Sequence, residues 1–133
     1  MPDVNVQHMM AVALIDGTVS FDASHSYERM SDPQVRAVKE RVQLIGDRSL
    51  MDPAAPRSGL VEVTLRDGRT VSRFTRHAPG TKENPLDAAG VNAKARSLME
   101  PVIGARRTAT VIERVHALDT VSDLRDLVAL LKT

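Results

Sequence analysis

The 133-residue chain contains no cysteine and no tryptophan, and it has only two phenylalanines and one tyrosine. Without cysteine, thiol catalysis, disulfide scaffolds and zinc sites with Cys ligands are excluded. With so few aromatic rings, the chain has almost no side chains that could stack on nucleic-acid bases or sugars. The core therefore has to be built from Leu, Val, Ile, Met and Ala.

A large excess of charge and a long apolar run are also missing. Eighteen basic residues face seventeen acidic ones, so the formal net charge is only +1. This balance predicts neither a nucleic-acid partner nor a membrane partner. The longest apolar run, Met9 to Ile15, has seven residues and is too short to span a bilayer. Since only Asp3 and no basic residue precede it, the run does not resemble a secretory signal, and we expect a cytoplasmic protein.

What is present is the composition of a globular protein. Hydrophobic residues make up 42% of the chain and charged residues 26%, which argues against disorder. A chain of 14.5 kDa is large enough for one hydrophobic core. We therefore predict a single domain that spans residues 1–133.

Three signals organise the first 45 residues. The segment from Val4 to Ile15, which contains the apolar run from Met9 onward, predicts a helix that Asp16-Gly17 ends, since glycine tolerates the left-handed conformation of a helix C-terminus. Because this run has no polar side, we expect its burial on more than one face and a large packing partner. Ser31-Asp32-Pro33-Gln34 predicts the start of a second helix, with Ser31 as the N-cap. The closely spaced apolar residues from Val42 to Ile45 predict a short strand.

The strongest local signal is a β-hairpin over about residues 60–75. Asp67-Gly68 is a favoured pair for a two-residue type I′ turn, and that turn would fix the register of the strands. The predicted cross-strand pairs are Arg66 with Arg69, Leu65 with Thr70, Val63 with Ser72 and Val61 with Phe74. In this register one face is apolar and suited to a cover of helices; its residues are Val61, Val63, Leu65 and Phe74.

The last third of the chain predicts three helices. Each has residues at helical spacing on one face, which we expect to be buried. These faces consist of Val91, Ala95, Leu98 and Val102 in the first helix, Ala105, Ala109, Ile112 and His116 in the second, and Leu124, Leu127, Val128 and Leu131 in the third. Together with the hairpin, they predict an α+β fold, in which a small antiparallel sheet packs with helices and three helices follow at the C-terminal end.

The four histidines do not predict a catalytic or metal site. They form no HxxxH or HExxH pattern. His116 is expected at the edge of the core, and His77, which follows several arginines, on a solvated surface. His25 lies in the segment 22–26 together with Asp and Ser, but a catalytic triad needs side chains from elements that are held apart. His8 stands on an otherwise apolar helix, where packing is somewhat favoured over a role in a cleft.

Cofactor-binding motifs are missing as well. Residues 59–68 contain no phosphate-binding GxxxxGK[ST] loop, and the remaining glycines are too scattered for a dinucleotide fingerprint. We therefore predict no cofactor, no metal and no catalytic residue in this chain.

Several short motifs along nearly the whole chain nevertheless resemble one family in their order and spacing. They are Asn5-Val6-Gln7-His8 followed by Ala11 to Gly17, Asp32 to Val35, Val61 to Thr70, Asn84-Pro85-Leu86, Lys94-Ala95-Arg96, Pro101 to Gly104 and Leu118 to Leu124. The sequence resembles the C-terminal domain of the MmgE/PrpD family. This family includes 2-methylcitrate dehydratase, cis-aconitate decarboxylase and iminodisuccinate epimerase.

The resemblance implies an architecture of two domains, of which this chain would supply one. Members of the family have a large helical domain, N-terminal in sequence, and a smaller α+β lid domain, with the active site in the cleft between them. The acid/base residues of the family lie mostly in the helical domain and in a segment just before the lid. We therefore expect the helical catalytic domain to be absent from this chain and encoded separately.

Two residues have counterparts in the family's lid. His8 matches a position in the lid's first helix, near the cleft, where relatives often have Tyr, and it is the one candidate substrate-binding residue. Lys94 matches a family lysine for which we expect a structural role.

Two functions from different classes remain open on the sequence, and a third, a free-standing small enzyme, is the least favoured because the catalytic set is missing. The first is the lid half of a lyase or isomerase that acts on small di- or tricarboxylates, inactive without its helical partner. The second is a non-catalytic module that self-associates and hides its apolar helix in the interface of a homo-oligomer.

Overall fold

The computed structural model of the chain describes residues 1–132 and has an α+β fold, as the sequence predicts. In chain order the elements are the helices α1 (Val6–Asp16), α2 (Phe21–His25), α3 (Tyr27–Ser31) and α4 (Pro33–Lys39), the strands β1 (Gly59–Thr64) and β2 (Thr70–Thr75), and the helices α5 (Ala88–Ile103), α6 (Ala105–His116) and α7 (Leu124–Ala129). Short 3₁₀-helices lie at Arg48–Leu50 and Leu118–Thr120.

The chain forms two compact units. The first comprises Met1–Leu44 and the residues from Asn92 onward, and the second comprises Ile45–Val91.

Helix α1 buries one face in the first unit. It begins where the Asn5 Oδ1 atom accepts the His8 N–H at 2.9 Å, and it ends at Gly17, whose φ is 72°. Within α1 the buried residues are His8, Ala11 and Val12, which follow one helical face. The prediction of burial on more than one face is wrong, because α4 covers one side of α1 and leaves Leu14 55% exposed.

The core between α1 and α4 is small and aliphatic. Ala11 and Val12 of α1 and Val35 of α4 are all fully buried and in contact. Partly buried side chains pack around these three, namely Ile15, Val19, Ala23 and Val38. The packing of these helices therefore depends on a few small side chains, as the shortage of aromatic residues implies.

Helix α4 begins one residue later than predicted. Asp32, not Ser31, is its N-cap, and the Asp32 Oδ1 atom accepts the Gln34 N–H at 2.7 Å. Pro33 follows as the first helical residue, where its missing N–H costs nothing. Ser31 instead ends α3, and its hydroxyl donates to the carbonyl oxygen of Tyr27.

The strand predicted at Val42 to Ile45 does not form, and these described residues follow a turn and have no regular structure. The backbone groups of Val42 are bonded elsewhere. Its N–H donates to the carbonyl oxygen of Lys39, and its own carbonyl oxygen accepts the Gln7 side-chain amide at 2.6 Å. Leu44 and Ile45 are 72% and 77% exposed. The apolar run was therefore not a signal for strand pairing here.

In the second unit β1 and β2 form the predicted antiparallel hairpin, but the predicted register is wrong by one residue. The observed pairs are Gly59 with Thr75, Leu60 with Phe74, Val61 with Arg73, Glu62 with Ser72, Val63 with Val71 and Thr64 with Thr70. A type I′ turn needs a positive φ at both central residues, and Gly68 has one but Asp67 does not. Leu65 instead bonds to both Gly68 and Arg69, which is a three-residue loop with a glycine bulge. Phe74 therefore lies on the opposite face from Val61 and Val63.

Replacing Gly68 with Ala is expected to destabilise the hairpin by about 1 kcal/mol. No atom would clash with the added Cβ, but φ at this position is 84°, which strains a residue with an L side chain. Gly59→Ala is the matched control, since Gly59 also has open space and lacks a positive φ. Hydrogen exchange of the β1 and β2 amides measures the difference. Equal exchange rates in the two variants would contradict the role assigned to Gly68.

The C-terminal helices form as predicted, but their buried faces differ. In α6 the buried residues are Thr108, Val111 and Ile112, so Ile112 is the one member of the predicted face that is buried. The remaining members of that face are exposed, namely Ala105, Ala109 and His116. In α5 the predicted face has no buried residue, and Val102 is 65% exposed.

Helix α7 is the clearest departure from the predicted burial. Its N-cap is Asp123, and none of its residues from Leu124 to Ala129 is buried. Leu124 is 58% exposed and Val128 55% exposed, and Leu131 just beyond the helix is 48% exposed. Leu127 is partly buried, but the other three residues of the apolar stripe that the sequence places in a core are exposed in the described structure. Within residues 1–132, no helix is both long and apolar enough to cross a membrane.

Candidate functional site

His8, the candidate substrate-binding residue, lies inside the first unit. Its side chain is fully buried, and its Nε2 atom is 3.2 Å from the carbonyl oxygen of Ala23. A carbonyl oxygen only accepts hydrogen bonds, so we assign the ring proton to Nε2, which leaves Nδ1 as a bare acceptor in the neutral ring. This hydrogen bond ties α1 to α2. The structure thus gives His8 a packing role, while its contact with substrate stays a prediction.

Polar atoms without a partner lie at two buried positions of the first unit. Among the described residues, neither the Nδ1 atom of His8 nor the Oγ1 atom of Thr108 has a hydrogen-bond partner. Both side chains are fully buried. Such groups are uncommon, because a buried polar atom without a partner has lost its bonds to water.

His25 and His116 make hydrogen bonds with groups other than those that surround His8. The His25 Nδ1 atom is 2.9 Å from the Ser24 hydroxyl oxygen and 2.8 Å from the carbonyl oxygen of Phe21, all on the same short helix. The His25 ring also stacks on Phe21. These contacts are all local to α2. His116 is exposed, and its Nε2 atom lies 2.9 Å from the Asn92 side-chain oxygen.

One cavity, with a volume of about 550 Å³, lies around α3 and the start of α4. Its cation is Arg29, which is already held on two sides. The guanidinium group donates to Asp16 at 2.6 Å and to Asp32 at 2.7 Å. These two ion pairs join the end of α1 to the start of α4. Because both aspartates already neutralise the Arg29 guanidinium, its attraction for a carboxylate ligand is weak.

A second cavity of about 300 Å³ lies between the end of α6 and the start of α7. Its lining carries one cation, Arg114, and three carboxylates, those of Glu113, Asp123 and Asp126. The Arg125 side chain donates to Asp123 and lowers the pKa of that carboxyl below its ordinary value, so Asp123 stays charged at neutral pH. A cavity with this excess of negative charge would repel a di- or tricarboxylate.

Neither of these cavities is lined by a histidine, His8 included, or by Lys94. Lys94 is exposed on α5, where its carbonyl oxygen accepts the Ser97 hydroxyl. Within residues 1–132, no group of three potential ligands is placed to hold a metal ion. Neither of these two cavities therefore brings a histidine base and free cations together.

Four aspartates have a carboxyl pKa below the ordinary value for one shared reason. Each accepts hydrogen bonds from the residue two positions later, which favours the charged carboxylate. The largest contribution comes from the backbone N–H of Gln34 for Asp32, the hydroxyl of Ser49 for Asp47, and the guanidinium of Arg69 for Asp67 and of Arg125 for Asp123. These carboxylates begin helices and turns, so their charge is coupled to folding.

The free energy of unfolding is therefore expected to fall as the pH drops below about 4. A carboxyl with a lowered pKa stabilises the folded chain above its unfolded pKa, and this stabilisation is lost as the pH falls through the folded pKa. Asp32→Asn keeps an oxygen that can accept the Gln34 N–H without a charge. Urea unfolding of this variant should lose less stability between pH 6 and pH 3 than the unmodified chain loses. The same loss in both proteins would mean that the Asp32 charge does not contribute.

Comparison with known proteins agrees with the resemblance seen in the sequence. Residues 2–119 match the family model described as the MmgE/PrpD C-terminal domain. Among curated proteins, none matches the chain. Because the family match spans most of the chain, from before α1 to the turn after α6, the protein belongs to the MmgE/PrpD family and carries that family's C-terminal domain.

Proposed function

We propose that this chain is the lid domain of an MmgE/PrpD-type lyase or isomerase that acts on small di- or tricarboxylates. The single observation that carries the proposal is the match of residues 2–119 to the family's C-terminal domain. Catalysis then requires a helical domain that is supplied by a separate chain. The expected location of both is the cytoplasm.

The chemistry of the site supports the need for a partner. Proton abstraction beside a carboxylate requires a positioned base and cations that hold the carboxylates of the substrate. Of the two described cavities, one has its arginine paired with two aspartates and the other has an excess of carboxylates. A lid contributes closure of the cleft and exclusion of water, and it does not need a complete catalytic set.

The orientation of α7 also supports a partner. Asp126 lines the cavity beside α6, whereas Leu124 and Val128 are more than half exposed. A helix on the surface of an isolated protein normally turns its apolar side inward. An outward apolar stripe fits contact with another domain, and we assign that contact to the helical domain.

The test combines this chain with the helical domain of a family member and follows the dehydration of 2-methylcitrate by the absorbance of the unsaturated product. We expect no turnover by the chain alone and turnover by the mixture. Leu124→Asp with Val128→Asp should abolish both the complex and the turnover, and Ala129→Asp, on an exposed position of the same helix, should leave both intact. If the mixture forms no complex and has no activity, the proposal fails.

The second candidate is a non-catalytic module that self-associates. The observation that favours it is the same exposed apolar stripe of α7, which a second copy could cover as well as a helical domain could. Light scattering distinguishes the two functions. A stable oligomer of the chain that has no affinity for a helical domain would favour the non-catalytic module.

A further inference from the structure

The outer edge of strand β2 is open. All six residues from Thr70 to Thr75 are exposed, and in the described part of the chain the sheet contains only β1 and β2. A two-stranded sheet is marginally stable in water, and an open edge offers unpaired backbone groups to another strand. The edge is therefore a surface that a further strand could extend.

The hydrogen-bond pattern shows which residues form this edge. The Leu65 N–H donates to the Arg69 carbonyl oxygen across the end of the hairpin, so these two residues stand at a bonded position of the ladder. Bonded and non-bonded pairs alternate along an antiparallel ladder. Thr70, Ser72 and Phe74 thus belong to non-bonded pairs and direct their N–H and C=O groups away from β1. Among residues 1–132 these groups make no backbone hydrogen bond outside the β1–β2 ladder.

Both faces of the hairpin also carry exposed apolar side chains. Leu60 pairs with Phe74 on one face, and these side chains are 43% and 49% exposed. Val63 pairs with Val71 on the other face, and Val71 is 48% exposed. A wider sheet would cover part of each of these side chains with neighbours on the adjoining strand.

We propose that β2 pairs antiparallel with β2 of a second copy of this chain, which joins the two hairpins into one four-stranded sheet. A two-fold axis passes through Ser72, so that Ser72 faces Ser72 of the partner subunit. Thr70 then faces the partner's Phe74, and Val71 faces the partner's Arg73. All three outward residues of β2 find bonded partners in this arrangement, because each faces another outward residue.

Charge selects this register and this edge. A shift of the axis to residue 73 would put Arg73 opposite the partner's Arg73, and a shift to residue 71 would put Arg73 opposite the partner's Arg69. Like charges that face each other across strands are destabilising. The corresponding pairing through β1 would place Glu62 opposite the partner's Glu62 if all three outward residues of β1 were used. The β2 edge is self-complementary because the residue on its axis is an uncharged serine. This dimer does not depend on the proposed lid function.

Proline substitutions test the interface without cutting the hairpin itself. By light scattering, the full chain should have twice its single-chain mass of 14.5 kDa. Ser72→Pro removes an N–H that points away from β1, so it should give the mass of a single chain while the hairpin stays folded. Glu62→Pro is the matched control, because Glu62 faces Ser72 across the hairpin and its N–H points to the opposite edge. This control should remain a dimer.

A single cysteine provides an independent test, since the chain has no cysteine of its own. Ser72→Cys places two thiols across the axis at about 5.5 Å between Cα atoms, within disulfide reach. Under mild oxidation this variant should form a covalent dimer, and Glu62→Cys should not. A single-chain mass of the unmodified protein would overturn the proposal, and so would a dimer that survives Ser72→Pro or that links equally well through position 62.

Discussion

Replacing Val35 with Asp is expected to unfold helices α1 to α4, because it puts an unpaired carboxylate into their core. Val35 is fully buried and contacts Ala11 and Val12. A buried charge without a partner costs roughly 3–5 kcal/mol, and a small domain has a total free energy of unfolding of about 5–15 kcal/mol. Because the core between these helices consists of a few small side chains, a loss of that size removes a large share of their stability.

The matched control for Val35→Asp is Ala37→Asp in the same helix. Ala37 is exposed, so its replacement changes helix propensity but buries no charge, and we expect an effect within about 0.5 kcal/mol. Urea unfolding followed by circular dichroism at 222 nm measures both variants. Similar midpoints for the two would show that Val35 is not at the centre of the core.

The local signals that the sequence predicted correctly are those that need no distant partner. A glycine ends α1, a proline opens α4, and an Asp-Gly pair forms the bend of the hairpin. Each acts through the backbone conformation of one or two residues, so the surrounding fold cannot easily change its effect. The family resemblance rests on many such positions together, and the match over residues 2–119 confirms it.

The signals that failed are those in which a neighbour decides the outcome. The strand expected at Val42 is missing because the side chain of Gln7 bonds to its carbonyl oxygen, and no pattern near Val42 reveals this. The register moved by one residue because the Asp67 carboxylate accepts the Arg69 N–H at 3.0 Å and stabilises a longer loop. Apolar spacing predicted a face for α7, but it could not predict that this face would point outward.

The candidate site shows the same division. The sequence separated the histidines from any catalytic pattern, and the described residues place them in unrelated local contacts. It could not reveal that His8 is fully buried, because a polar residue on an apolar helix fits a core and a cleft equally well. Nor could it reveal the double ion pair of Arg29, since its partners lie 13 and 3 residues away and carry no shared motif.

Replacing His8 with Ala is expected to lower the free energy of unfolding by about 3 kcal/mol. The change leaves a cavity beside Ala11 and Val12 on the buried face of α1, and it removes the N–H that bonds to the Ala23 carbonyl oxygen. His116→Ala is the control, because His116 is exposed and we expect a change within about 0.5 kcal/mol. Thermal unfolding of the two variants gives the comparison. Equal effects would mean that the buried imidazole does not hold α1 to α2.

His8→Gln separates this packing role from the predicted contact with substrate. The Gln amide can donate to the Ala23 carbonyl oxygen, so we expect this variant to keep most of the stability that His8→Ala loses. Its KM and kcat are then measured in the complex with a helical domain. A histidine that only packs would leave both constants unchanged once the variant is folded. A rise in KM at unchanged stability would instead require that His8 reaches the substrate when the lid closes, since a contact made equally in the ground state and the transition state affects KM alone.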